Sequence, residues 1–252
     1  MNARTFLLAT VSSLAMIGVA SAADMPLKAA LPPPPPVANW TGWYIGIDGG
    51  AGRHNFAITE NDEGGSVAGS KTGFVAGGHI GYNWQTHYYL FGLEADGMWT
   101  DLRRTFGSGT TFGPAVTGGP STTLSEVNWL ASVRTRQGIA LEDTLIYVTG
   151  GVAFAGVKNG WADGYSAVAL VPAGTCCDIQ SNQTKVGWVA GFGLEHMWTR
   201  NLSIRSEVLY YDLGRTEASG NSAPAAPGVP ASLRLNATNE VFVSRLGLSL
   251  KW

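Results

Sequence analysis

Apolar and polar residues alternate with a period of two through most of the chain after residue 40. In the last eight residues, Leu246, Leu248, Leu250 and Trp252 fall on one face, and Arg245, Gly247, Ser249 and Lys251 on the other. That is the pattern of a β-strand with one apolar side. The same alternation predicts eight strands, at residues 40–52, 72–85, 89–101, 125–139, 145–157, 185–198, 202–213 and 239–252. Short gaps at 86–88, 140–144 and 199–201 interleave with long ones at 53–71, 102–124, 158–184 and 214–238. Strands close to the ~9–11 residues that cross a bilayer, even in number and joined in this way, predict an all-β fold. Its form is an eight-stranded antiparallel transmembrane β-barrel with short periplasmic turns and long extracellular loops. Gly-Gly, Gly-Pro and Ala-Pro clusters predict that the long gaps hold no further regular structure.

The alternation also assigns faces. Phe74, Ile80, Tyr82 and Trp84 oppose His79 and Asn83; Tyr89, Phe91, Leu93 and Trp99 oppose Glu94, Asp96 and Met98. Trp129, Ala131 and Val133 oppose Asn128, Ser132, Arg134 and Arg136; Trp188, Phe192 and Leu194 oppose Glu195; Ile204, Val208 and Tyr210 oppose Arg205, Glu207 and Tyr211. The fifth strand is apolar on both faces and its register is open. If the apolar faces meet lipid, Glu94, Asp96, Glu195 and Glu207 are enclosed with Arg134, Arg136, Arg205 and Arg245, four charges of each sign. An eight-stranded barrel is just wide enough for side chains to fill, so these charges are expected to pair and plug the lumen. Inward glycines leave room for the long side chains. Trp43, Tyr44, Trp84, Tyr88, Tyr89, Trp99, Trp129, Trp198 and Trp252 are expected to form interfacial girdles.

Composition and the amino terminus agree with this picture. Charged residues are 13% of the chain, against ~25% in ordinary soluble domains. The net charge of -2 gives no basic face for nucleic acid. Arg4, an apolar core from Phe6 to Ala20 and Ala20-Ser21-Ala22 predict a cleaved signal peptide at 1–23. Residues 24–39, with Pro32 through Pro36, predict a stiff polyproline-type periplasmic leader. The barrel domain is then 40–252, located in the outer membrane.

Candidate chemistry is sparse. Cys176 and Cys177 are adjacent in the third long gap, where an oxidising compartment favours a disulfide clip, although adjacent residues make a strained one. No zinc-type spacing surrounds them. His54, His79, His87 and His196 form no ligand pair; His54 is expected in a solvated loop and His79 inside without an adjacent activated serine. No cofactor or metal site is expected, and a hydrolase would need a Ser, a His and a carboxylate meeting near the outer rim.

Trp40-Thr41-Gly42-Trp43-Tyr44-Ile45-Gly46, Gly77-Gly78-His79-Ile80-Gly81-Tyr82-Asn83-Trp84, Gly92-Leu93-Glu94-Ala95-Asp96 and Tyr147-Val148-Thr149-Gly150-Gly151-Val152-Ala153 resemble small outer-membrane immunogenic proteins of the porin-like OmpA-type β-barrel superfamily. The resemblance covers essentially all of 40–252. Gly247, Leu250 and Trp252 are similar to the carboxy-terminal signal read by the barrel-assembly machinery, with Trp in place of the commoner Phe. The resemblance implies a non-enzymatic surface barrel that stabilises the envelope and presents loops to host or envelope partners, set among outer-membrane lipids and lipopolysaccharide. No wall-binding domain is expected after the barrel. A narrow porin for passive diffusion is the second reading, and a lipid-modifying enzyme a remote third.

Overall fold

A computed structural model describes residues 38–60, 66–107, 118–165, 174–221 and 232–252. The expected signal peptide and nearly all of the leader lie outside them. Eight strands, β1 (Gly42–Glu60), β2 (Ser66–Thr86), β3 (Tyr89–Gly107), β4 (Gly118–Leu141), β5 (Thr144–Tyr165), β6 (Gly174–Met197), β7 (Leu202–Asn221) and β8 (Ser232–Lys251), each pair antiparallel with the next, and β8 pairs with β1 to close the barrel. In that closing seam Ile47 faces Leu248 and Tyr44 faces Lys251. The connections at one end are two-residue turns, His87-Tyr88 and Glu142-Asp143, and the 198–201 link.

The strands are 19 to 24 residues long, about one and a half times the expected length. The long gaps are therefore largely strand, contrary to the expectation from their glycine and proline content. Near the turn end, the outward positions are apolar, as with Trp43, Ile45 and Ile47 on β1, or Leu246, Leu248 and Leu250 on β8. Past β1 Ala51 the pattern inverts. Arg53 and Thr59 lie outside while Phe56 and Ile58 are buried; Asp101 and Arg103 lie outside while Leu102 is buried. A wall with polar residues outside and apolar ones inside is a water-soluble barrel's wall, so the lipid-facing band ends there and a collar of paired strand continues beyond it.

Three local details differ from the alternation. Adjacent residues of a strand cannot both face out, and Tyr44 points in where Trp43 points out. A β-bulge between Val127 and Trp129 exchanges the faces of β4: Ser125 and Val127 are buried above it and Leu130, Ser132 and Arg134 below it. Asn128, at the bulge, leaves the interior face and bridges Glu126 (3.1 Å) and Lys158 (3.2 Å). On β5 the open register resolves with Leu145, Tyr147, Thr149, Ala153, Ala155, Val157 and Asn159 inside.

The collar is not evenly sewn. Six seams are hydrogen-bonded along the whole wall, whereas β2–β3 pairing stops at Val75 opposite Thr100 and β6–β7 pairing at Trp188 opposite Asp212. Above these points the described strands form two four-stranded groups, β3 to β6 and β7-β8-β1-β2. At the other end, residues 38–41 precede β1 and cross the mouth. The Ala38 amide donates to the Glu142 carbonyl (2.9 Å) in the β4–β5 turn, the far wall from β1, and the Trp40 amide to Gln85 Oε1 (2.6 Å). Trp40 is thus a buried cork rather than the first residue of a strand.

Candidate functional site: the barrel interior

The interior is stacked in tiers. At the turn end Trp40 packs with Leu90, Ala140, Leu145 and Tyr147. Above it lies a charged tier. Beyond that, an apolar tier includes Val75, Met98, Leu102, Val127, Leu130, Val189, Leu209 and Val243. β3 alone spells out the order: Leu90 below, Glu94 and Asp96 in the middle, Met98 and Leu102 above.

The charged tier is built on two hubs. Glu94 accepts from Arg134, from Arg205 Nη1 (2.7 Å), from Arg136 Nη1 (3.4 Å) and from the Tyr44 hydroxyl (2.8 Å). Glu207 accepts from Arg134 Nη1 (3.1 Å), Arg245 Nε (2.8 Å) and the Tyr147 hydroxyl (3.2 Å). Asp96 receives Arg245 Nη1 (3.2 Å) and Ser132; Glu195 receives Arg136 Nη2 (2.5 Å) and Ser203 (2.5 Å). All eight residues named from the sequence therefore meet in one tier, each almost fully buried. Arg136 is also clamped over the Tyr147 ring at 4.0 Å and the Tyr44 ring at 5.2 Å. Charge removed from water is tolerated only with this degree of pairing.

Inward glycines give the tier its room. A Cβ at Gly193 would strike the Tyr147 ring, one at Gly81 the Tyr44 ring, and one at Gly247 the Asp48 carboxylate and Arg205. The space accommodates aromatic rings as well as arginines. Gly247 is thereby required by packing, quite apart from its place in the terminal pattern, while Leu250 and Trp252 project outward.

The sequence reading missed Asp48, a fifth carboxylate. It receives Arg205 Nε (3.0 Å) and Nη2 (3.1 Å) and lies 2.8 Å from His79 Nδ1. The signal was present: with Trp43, Ile45 and Ile47 outside, Tyr44 and Asp48 must be inside. His79 has a serine beside it, because β8 brings Ser249 Oγ to 3.0 Å from Nε2. A serine, a histidine and an aspartate in series have the connectivity of a catalytic triad, but all three are buried and Asp48 is shared with arginine. His54 is likewise buried in β1 rather than solvated in a loop. Cys177 pairs with Asp163 and Thr175 with Gly164, so the cysteines belong to a bulged part of β6, not to a loop. The cysteine side chains fall outside what is described. Among the described residues no group of three His, Cys, Asp or Glu is arranged to hold a metal.

A closed barrel with an apolar outer band, aromatic at its margins and charged within, is a barrel that crosses a bilayer on its strands. The outer membrane protein β-barrel domain family model matches residues 10–232, and the chain belongs to that family. It is 33% identical over 187 residues to the 31 kDa outer-membrane immunogenic protein of Brucella melitensis, covering 70% of this chain and 72% of the relative. It is 28% identical over 180 residues to the 22 kDa outer membrane protein of Rhizobium leguminosarum bv. viciae, covering 71% and 67% respectively. Among solved structures, the outer membrane protein OprG from Pseudomonas aeruginosa aligns over 85% of this chain and 99% of its own, with 14% identity and a TM-score of 0.49. The protein is an outer-membrane β-barrel, with its short turns on the periplasmic side and its collar outside the cell.

Proposed function

We propose that this protein is a closed, envelope-stabilising barrel that presents its extracellular collar and loops to partners, and that it neither conducts solutes nor catalyses a reaction. The observation that carries the reading is the paired charged tier lying between the Trp40 cork and the apolar tier. An ion crossing the lumen would have to displace both apolar layers and break Arg–carboxylate pairs that no water replaces. The Asp48–His79–Ser249 series serves the same packing, since a nucleophile needs a path to substrate and Ser249 is 1% exposed. The outer-membrane location and the outer-membrane immunogenic protein among its relatives support a surface role. Planar-bilayer recordings of the refolded chain test this: the expected result is no steady openings. Reproducible channels that persist in the wild-type protein would replace this reading with that of a narrow porin.

A further inference from the structure

The collar is built as two jaws. Above Val75 opposite Thr100 and Trp188 opposite Asp212 the β2–β3 and β6–β7 ladders end, so β7-β8-β1-β2 and β3-β4-β5-β6 continue as separate sheets. The two seams lie on opposite sides of the eight-stranded ring. β7 leaves β6 where Gly214 takes a left-handed φ of 67°, its amide donates to Asp212 Oδ1 (2.9 Å), and the β7–β8 register shifts between Asp212 and Arg215. A side chain spans the β6–β7 seam above this point, Lys185 Nζ donating to the Arg215 carbonyl (3.0 Å). Parting the jaws therefore breaks none of the described backbone pairs.

One jaw carries a buried histidine at its centre. β8 and β1 are the middle strands of the β7-β8-β1-β2 group, and His54 on β1 is fully enclosed, with Nε2 3.1 Å from Asn239 Oδ1 on β8. An amide oxygen only accepts, so Nε2 carries the proton and Nδ1 is the basic nitrogen. Nδ1 has no hydrogen-bond partner, and the Phe56 ring packs beside the imidazole at 5.5 Å between centroids. The chain's other three histidines lie outside the collar: His79 in the charged tier, His87 and His196 at the turn end.

Among the described side chains, none inside the collar would compensate an imidazolium. On β1, Arg53 points outward; on β8, Glu240 points outward; on β2, the register partner of His54 is Lys71, on the inward side and partly exposed. Thr216 on β7, Leu102 on β3, Ser125 on β4 and Asn159 on β5 bring no charge, and β6 brings Lys185, a second inward ammonium. The collar carboxylates, Asp101, Glu126, Asp212, Glu217 and Glu240, all lie on the outward side. Burial accordingly lowers the His54 pKa from 6.5 to about 4, against an upward pull from the Asn239 hydrogen bond. The closed collar thus binds this proton less well than an open, hydrated one. Closure is fully favoured above about pH 6.5 and weakens about tenfold per unit as pH falls towards 4.

We propose that the collar is an acid-operated pair of jaws: protonation of His54 drives the β7-β8-β1-β2 sheet away from β3-β4-β5-β6 along the two unsewn seams, while the membrane half stays shut. The imidazolium gains water only when the jaws part, and the fully paired strands below act as the hinge. Hydrogen exchange of the full chain, refolded in dodecylphosphocholine micelles, tests this between pH 7.5 and 4.5, with rates corrected for their intrinsic pH dependence. Collar peptides around His54 and the β6–β7 seam should open about tenfold more, or greater, at pH 4.5, and peptides of the charged tier should not change. His54→Gln, which keeps a donor for Asn239 but cannot titrate, should abolish the rise. Asn239→Asp should also suppress it, because a carboxylate beside Nε2 compensates the imidazolium. The second variant decides the matter if the first fails to fold, which heat-modifiable mobility reports. No rise in the wild-type protein, an equal rise in the membrane half, or a rise that survives either substitution would overturn the proposal. Bilayer conductance plays no part in this test, so the two readings fail independently.

Discussion

The membrane half and the collar are one continuous set of strands, yet they obey opposite rules. On β1, Ile47 faces lipid while Asp48 is enclosed; a few residues further, Arg53 faces water while Phe56 is enclosed. The period of two is unchanged across the transition. Only the medium outside the wall has changed, and with it the side chains on both faces. Charge is placed inside where the exterior must be greasy, and outside where water is available to solvate it. The apolar tier at Val75, Met98 and Leu130 is the joint between the two regimes, where both faces are apolar at once.

Substitutions can probe this contrast, and the largest effect is expected in the charged tier. Arg134→Ala removes one of the guanidinium groups that Glu94, Asp96 and Glu207 share, leaving the buried tier with more carboxylate than arginine charge. It should lower stability by about 3–5 kcal/mol, measured by urea unfolding in micelles, and should introduce channel openings; unchanged unfolding and silent bilayers would sink the network account. Leu102→Ala in the apolar tier removes packing but no charge. A loss of about 2–4 kcal/mol without openings is expected, and openings there would mean that the apolar tier is the sole seal.

Outward positions sharpen the comparison further. Ile47, at the middle of the lipid-facing stretch of β1, and Asn55, in the collar, face the same way on the same strand. Ile47→Arg should cost about 2–4 kcal/mol, whereas Asn55→Arg should stay within about 0.5 kcal/mol. Equal costs would show that the lipid boundary is misplaced. A small effect is also expected in the triad-like series: Ser249→Ala should change stability by no more than about 1 kcal/mol. A fluorophosphonate probe should leave wild-type Ser249 unlabelled, and labelling lost in Ser249→Ala would reopen catalysis.

Much of the membrane half was legible in the alternation. The strand order, the eight charged residues, and the outward faces of β2, β3, β6 and β7 all follow from a period of two with apolar residues outside. The collar was not legible, because apolar residues outside are only one sign of that pattern, and Arg53 and Asn55 outside with Phe56 and Ile58 inside carry the other. Glycine clusters reinforced the error, although Gly118-Gly119 lies within β4. The bulge at Asn128 and the closure of His79 onto Ser249 depend on register between strands far apart in sequence, 170 residues in the second case. Alternation within one strand carries no information about such pairing.

The crossing at residues 38–41 also has a consequence for timing. Trp40 is held by Gln85 from β2, its neighbour Asn39 receives Lys251 from β8, and Ala38 is tied to the β4–β5 turn. The Gln85 anchor comes with β1–β2 pairing, but the Lys251 and Glu142 anchors are in position only when the sheet has curled and its last strand has met its first. Burial of Trp40 is therefore an event of completed closure, and its fluorescence in an otherwise Trp-depleted chain would act as a clock for the final step of assembly.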